Sequence, residues 1–134
     1  MFVDNQKIVP TDLNAALQDV IPYLTLTGTD DEDKTGTCAI QVKDAAGNDL
    51  AQRFLVHTWI ANAEYSEPDP QTGFSVLTGE QQWQFEALAD FLVISDATGL
   101  VDMNIIVAAA ASVYVMAEID GRIWSSGEIA ITGA

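Results

Sequence analysis

The chain is poor in the residues that reactive chemistry and covalent stapling require. It has one cysteine and one histidine in 134 residues. A lone thiol forms no internal disulfide, so folding is expected to be independent of an oxidising compartment. Cys38 stands between Thr37 and Ala39 with no cation beside it to favour a thiolate, and it reads as a small buried core residue. Basic residues are scarce, 5 Lys and Arg against 20 Asp and Glu, for a formal net charge of −15. A field of that sign repels phosphate backbones and anionic lipid, which argues against nucleic acid and membrane surfaces as partners. It keeps a domain soluble and helps it dock on a basic surface. The longest apolar stretch, Ile105 to Ala111, is far short of the roughly 18 residues a membrane helix needs. Met1 to Asn5 lack the basic start and apolar run of a signal peptide, so the expectation is a chain made in the cytoplasm without export.

Catalysis has little to work with. Any acid–base scheme through histidine must use His57, which sits between Val56 and Thr58 with no Ser or Cys nucleophile at a recognisable spacing. Ser125-Ser126-Gly127 lacks the Gly-x-Ser-x-Gly arrangement that exposes a nucleophile, and no Gly-rich phosphate loop or Cys/His zinc cluster occurs. So many carboxylates produce chance pairs in any fold, and their abundance is no sign of a glycosidase pair. Asp30, Asp31, Glu32 and Asp33, with Glu64, Glu67 and Asp69, offer hard oxygen ligands for calcium but not in EF-hand spacing, and they read as solvated loops. The expectation is a protein that is not an enzyme, with no catalytic residue, cofactor or metal.

What the chain does have is a hydrophobic content of 49 % with 19 % charged residues, enough for a single globular core at this length. Residues 11 to 24 carry one helical pattern, with Leu13, Ala16, Leu17, Val20 and Ile21 on one face, Thr11 or Asp12 as cap and Pro22 as stop. Thr27 to Gly36 is acidic and turn-rich and reads as a solvated linker or loop separating an arm from the body, so the expected division is an arm at 1–36 and a β domain at 37–134.

From there the period becomes two. Cys38, Ile40 and Val42 alternate with polar neighbours. Arg53 to Ala61 is apolar on both faces, with Phe54, Val56 and Ile60 opposed to Leu55 and Trp59. Such a strand is covered on both sides or keeps one face for a partner. Phe74 to Thr78 and Phe91 to Ser95 read as short strands, and in Gln82 to Leu88 the residues Trp83, Phe85 and Ala87 alternate with Gln82, Gln84 and Glu86. Val101, Met103, Ile105 and Val107 share a face, as do Val113, Val115, Ala117 and Ile119. Asp120-Gly121 is a two-residue hairpin signal leading into Arg122 to Thr132, where Ile123, Ile129 and Ile131 are expected on one face. About eight strands without interleaved helices fit an all-β fold, a two-layer antiparallel sandwich or a small barrel, which would show the same alternation.

Val42-Lys43-Asp44-Ala45-Ala46-Gly47-Asn48-Asp49-Leu50 resembles the opening of bacterial immunoglobulin-like repeats of the invasin and intimin type. The Ser95-Asp96-Ala97-Thr98-Gly99 turn, the strand from Val101 to Val107 and the strand from Val113 to Ile119 are similar to later parts of the same pattern. Physically, Gly47 and Gly99 permit tight turns across which Asp44 and Asp96 can accept backbone hydrogen bonds. The resemblance implies an immunoglobulin-like β-sandwich. A single copy without an export signal looks more like the immunoglobulin-like accessory proteins of tailed-phage virions than like surface adhesins. What it implies is a structural protein of the virion, a capsid decoration or accessory protein that binds the major capsid protein or another virion protein. Self-association into a homo-oligomer stays open beside it, and the alternative role is a carbohydrate- or receptor-binding adhesion module. Two contact surfaces are expected from residue types: the arm with Leu13, Leu17, Ile21, Tyr23 and Leu24, and the long loop with Tyr65 and Phe74. Trp59 and Trp124 would add to them if they face outward.

Overall fold

Strands whose side chains alternate between apolar and polar are satisfied when one face is covered, and two sheets laid face to face do this. The computed structural model describes residues 22–133. They form ten strands: β1 (Tyr23–Asp30), β2 (Thr35–Lys43), β3 (Leu55–Ala61), β4 (Gly73–Thr78), β5 (Glu80–Glu86), β6 (Asp90–Ile94), β7 (Leu100–Ile106), β8 (Ala111–Ile119), β9 (Arg122–Ser125) and β10 (Ile129–Ile131). Every pairing is antiparallel. One sheet has four strands in the order β1-β2-β7-β4; the other has six, β10-β8-β3-β6-β5 with β9 also on β8. The antiparallel β-sandwich, rather than the barrel that the alternation also allowed, is the fold adopted. Its strand order follows the immunoglobulin-like plan, with β1, β2, β7 and β4 in the places of A, B, E and D and with β3, β8 and β9–β10 in those of C, F and G. The β5–β6 hairpin widens the second sheet beyond β3.

The core lies between the sheets. Cys38, Ile40 and Val42 of β2 and Val101, Met103 and Ile105 of β7 face Val56 and Ile60 of β3, Phe91 and Val93 of β6, and Val113, Val115 and Ala117 of β8. Phe74 of β4 stacks on Phe91 of β6, with ring centroids 5.6 Å apart. The two polar side chains buried here are bonded: Thr58 Oγ1 donates to the Met116 carbonyl at 2.9 Å, and Ser95 Oγ accepts from the Phe54 N–H at 2.8 Å. Burial without such partners would cost several kcal/mol in total, at about 1–3 each.

The two Asp-x-x-Gly turns are built alike. Asp44 Oδ1 accepts from the N–H groups of Ala46 and Asn48, both at 2.9 Å, and Asp96 Oδ1 accepts from Thr98 at 2.8 Å and Leu100 at 3.1 Å. Gly47 and Gly99 take the left-handed conformation the turns require, with φ of 90° and 79°. Asp120 and Gly121 both have positive φ, 52° and 77°, as a type I′ hairpin between β8 and β9 demands.

Several expectations are corrected. The boundary at residue 36 falls inside β2, and the acidic stretch is the hairpin between β1 and β2 rather than a linker. Asp30 fastens it to the segment just after β10: its carboxylate accepts from the Thr132 N–H at 3.2 Å and hydroxyl at 2.9 Å. Tyr23 and Leu24, read as the end of a helix, belong to β1, where they pair with Lys43 and Val42. The helical pattern itself, residues 11 to 21, lies outside the described residues. Ile123 does not share the buried face of Ile129 and Ile131. A bulge at Ser126–Glu128, with Gly127 at φ 73°, shifts the register on β8 by one residue and turns Ile123 outward.

Candidate functional site

Six strands facing four leave part of the wider sheet without a partner layer. Phe74 of the edge strand β4 reaches β6, and β5 extends past it, so every residue of β5 is exposed. This also decides the fate of the second sheet's outer face. β3 is apolar on that side too, and nothing among the described residues forms a third layer over it.

The registers lay out the outer face in rows across the sheet. One row runs Trp83 (β5), Leu92 (β6), His57 (β3), Glu118 (β8) and Ile123 (β9). The next runs Glu86, Asp90, Trp59, Met116 and Ser125. Exposure on this face is high for large apolar side chains: Trp83 62 %, Phe85 56 %, Leu55 52 % and Ile123 45 %. The four-stranded sheet differs in having no exposed aromatic cluster among the described residues. Its outer rows are largely polar, with Thr25 beside Gln41, Thr29 beside Thr37, and Thr37 beside Asn104, which in turn neighbours Ser75, and its exposed large apolar side chains are the aliphatic Leu77 and Ile106.

His57 organises the centre of the apolar face. Its Nε2 lies 2.6 Å from Asp90 Oδ1 and its Nδ1 lies 3.2 Å from Glu118 Oε1. Both contacts are hydrogen bonds at once when both ring nitrogens carry hydrogen, which is the imidazolium form. The ring is flanked by Trp59 at 4.9 Å and by the edge of Phe85 at 5.2 Å between centroids. Trp59 is itself pinned, its indole N–H donating to the Ser66 carbonyl at 3.0 Å, so the loop after β3 closes one end of the face. Beneath it Met116 and Ala61 are fully buried, forming a small second core on the outer side of the sheet. With a carboxylate at each ring nitrogen, His57 has none left to face a hydroxyl or thiol, which nucleophilic catalysis requires. The arrangement is a rigid, half-dry charged cluster rimmed by aromatics. Among the described residues no group of three or more His, Cys, Asp or Glu side chains converges as a metal site.

The residues expected to make contacts fare differently. Leu24 is 3 % exposed and Phe74 1 %, so both pack inside this domain's own core and are removed from the contact surface. Their alternating strands point them inward. Tyr65 stands at the loop tip, 60 % exposed, with φ 58°. Tyr23 is half-buried on β1. Leu13, Leu17 and Ile21 lie outside the described residues. Trp59 does face outward but is largely covered, while Trp124 packs against the main core under Arg122, whose guanidinium carbon is 4.7 Å from the ring centre. Sequence reasoning missed Trp83, Phe85, Asp90 and Glu118. The two-sided apolar pattern of Arg53 to Ala61 was the signal that pointed to this face.

Set against protein-family models, curated proteins and solved structures, the chain matches none. The class the fold and the face define is an antiparallel β-sandwich whose wider sheet carries an exposed aromatic cluster on its outer surface.

Proposed function

We propose that the chain is a non-catalytic binding module that docks through the outer face of its six-stranded sheet onto a protein surface in a larger assembly. The observation that carries this reading is the exposure of Trp83 and Phe85 in β5, with Leu55 and Ile123 exposed further across the same face. Burying apolar surface is worth roughly 25 cal/mol per Å², and aromatic side chains near the centre of a contact patch commonly dominate its affinity. The assembly suggested by the sequence resemblance is a bacteriophage virion, with the major capsid protein or another virion structural protein as partner. A lattice of identical sites makes a modest face sufficient through avidity.

Co-sedimentation with the particles of the phage whose genome carries this reading frame tests the proposal. Wild-type chain saturates the particles, and Trp83→Ala weakens each contact by about 2 kcal/mol while leaving the fold intact, because the side chain is already mostly in water. Undiminished occupancy by the double variant Trp83→Ala, Phe85→Ala rejects this face as the docking surface. A second reading, a carbohydrate-binding adhesion module, is favoured by the same flat exposed rings lying beside carboxylates, which suit sugar faces and hydroxyl groups. Glycan-array binding that disappears with Trp83→Ala moves the assignment there.

A further inference from the structure

The aromatic face has a charge pattern that narrows what covers it, provided that it is the docking surface proposed above. Four carboxylates lie on it by register: Glu80 opposite Ile94, Glu86 opposite Asp90, Asp90 itself, and Glu118 opposite His57. The side chains that meet them are Arg53, 3.9 Å from Glu80 with both side chains mostly exposed, and the His57 ring, which contacts Asp90 and Glu118. Asp90 and Glu118 each meet His57 through one oxygen, and the other oxygen of each takes no hydrogen bond from a described residue. Trp83 and Phe85 thus stand in water between acidic neighbours, in the run Glu80-Gln81-Gln82-Trp83-Gln84-Phe85-Glu86.

Three occupants compete for such a surface. A strand added to the free edge of β5 needs a regular ladder, but β5 is bulged between Gln81 and Trp83 and again between Gln84 and Glu86, and bulges with flanking charges are how sheets block edge pairing. A second copy would bring another acidic face, and another net charge of −15, against the first. A basic partner meets neither obstacle.

We propose that the face takes an arginine-bearing protein segment. The guanidinium is charged at every relevant pH and stacks flat on an indole or phenyl ring while its edge N–H groups still reach carboxylate oxygens. Stacked on Trp83 or Phe85, it lies beside Glu80, Glu86 or Asp90; a second arginine on the far side of His57 meets the free oxygen of Glu118. Lysine offers a point charge without the stacking plane and binds less well.

The probes are two short peptides, one alternating arginine with alanine and one alternating lysine with alanine, titrated at about 0.15 M salt so that long-range attraction is screened. The arginine peptide binds about threefold or more tightly than the lysine peptide and shifts the Trp83 indole N–H resonance. Trp83→Ala abolishes that preference, whereas Asp31→Asn with Asp33→Asn, which removes two charges at the β1–β2 turn, leaves it unchanged. Equal binding of the two peptides, or equal loss in both variants, means diffuse attraction to an acidic protein and overturns the proposal. So does self-association of the wild-type chain in sedimentation velocity that Trp83→Ala removes, which would make a second copy the occupant. If the double variant Trp83→Ala, Phe85→Ala loses particle occupancy but the arginine preference is absent, the partner chemistry alone fails; if its occupancy is undiminished, the docking surface fails with it.

Discussion

At the scale of single residues, Cys38 is the most constrained group in the chain. It is fully buried on β2, and burial, with the carboxylate of Asp102 adding to it, pushes the thiol up to about 12. Two consequences can be measured. A disulfide-exchange reagent leaves the native protein unlabelled and labels one thiol after denaturation in urea, because access requires opening the core. The alkaline limb of stability carries its signature as well. The unfolded thiol ionises at its ordinary value while the folded one stays protonated, so stability falls as pH rises between that value and the folded one. The slope from this group is about 1.4 kcal/mol per pH unit. Cys38→Ala removes that contribution to the slope while lowering stability at neutral pH through the lost packing. A slope identical to wild type above pH ~9 would show that the thiol is not held neutral.

At the scale of elements, close approach between the two sheets decides which substitutions matter. The β1–β2 hairpin lies so near β10 that a Cβ on Gly28 would stand 2.3 Å from Ile129 Cγ1. Gly28→Ala therefore destabilises by about 2 kcal/mol through overpacking, and Ile129→Ala in the same chain makes the added methyl nearly free. Denaturant melts of the four chains give the coupling; simple additivity would mean the hairpin shifts away without strain. Truncation is read the same way. Compared with removal of residues 1–21, removal of 1–24 takes Leu24 out of the core and lowers stability by a further ~2–4 kcal/mol, read from denaturant melts of the two chains.

The elements also mark how far sequence could go. β2, β7 and β8 were legible because one alternating apolar set has one place to go, the space between sheets. The turns at Asp44, Asp96 and Asp120 were legible because their hydrogen bonds are local and their glycines need positive φ. β5 was legible as an alternating strand, but periodicity names two faces without saying which is covered. That depends on one sheet being wider than the other. Ile123 was misplaced by a bulge that leaves no trace in hydrophobic pattern. The meeting of His57 with Asp90 and Glu118 depends on register between segments 33 and 61 residues apart, which no local spacing encodes.

At the scale of the whole molecule, a net charge of −15 acts on folding and on association with opposite signs. Compaction brings like charges together, and the described residues offset this with few lysine or arginine ion pairs: Lys43–Asp49 at 2.7 Å and Arg53–Glu80. Salt screens repulsion over a Debye length of about 10 Å at 0.1 M and about 3 Å at 1 M, so raising the concentration of sodium chloride should raise the melting temperature. Association with a basic partner is driven by the same field and should weaken over the same range, chiefly through a slower on-rate. The aromatic part of the contact is insensitive to screening and should persist at high salt as a residual affinity that depends on Trp83. Calorimetry and binding measured along one salt series separate these contributions. A melting temperature that falls with salt would mean that attractive pairs outweigh repulsion in the folded chain. Affinity that rises with salt would place the charge of the partner on the wrong side of neutral.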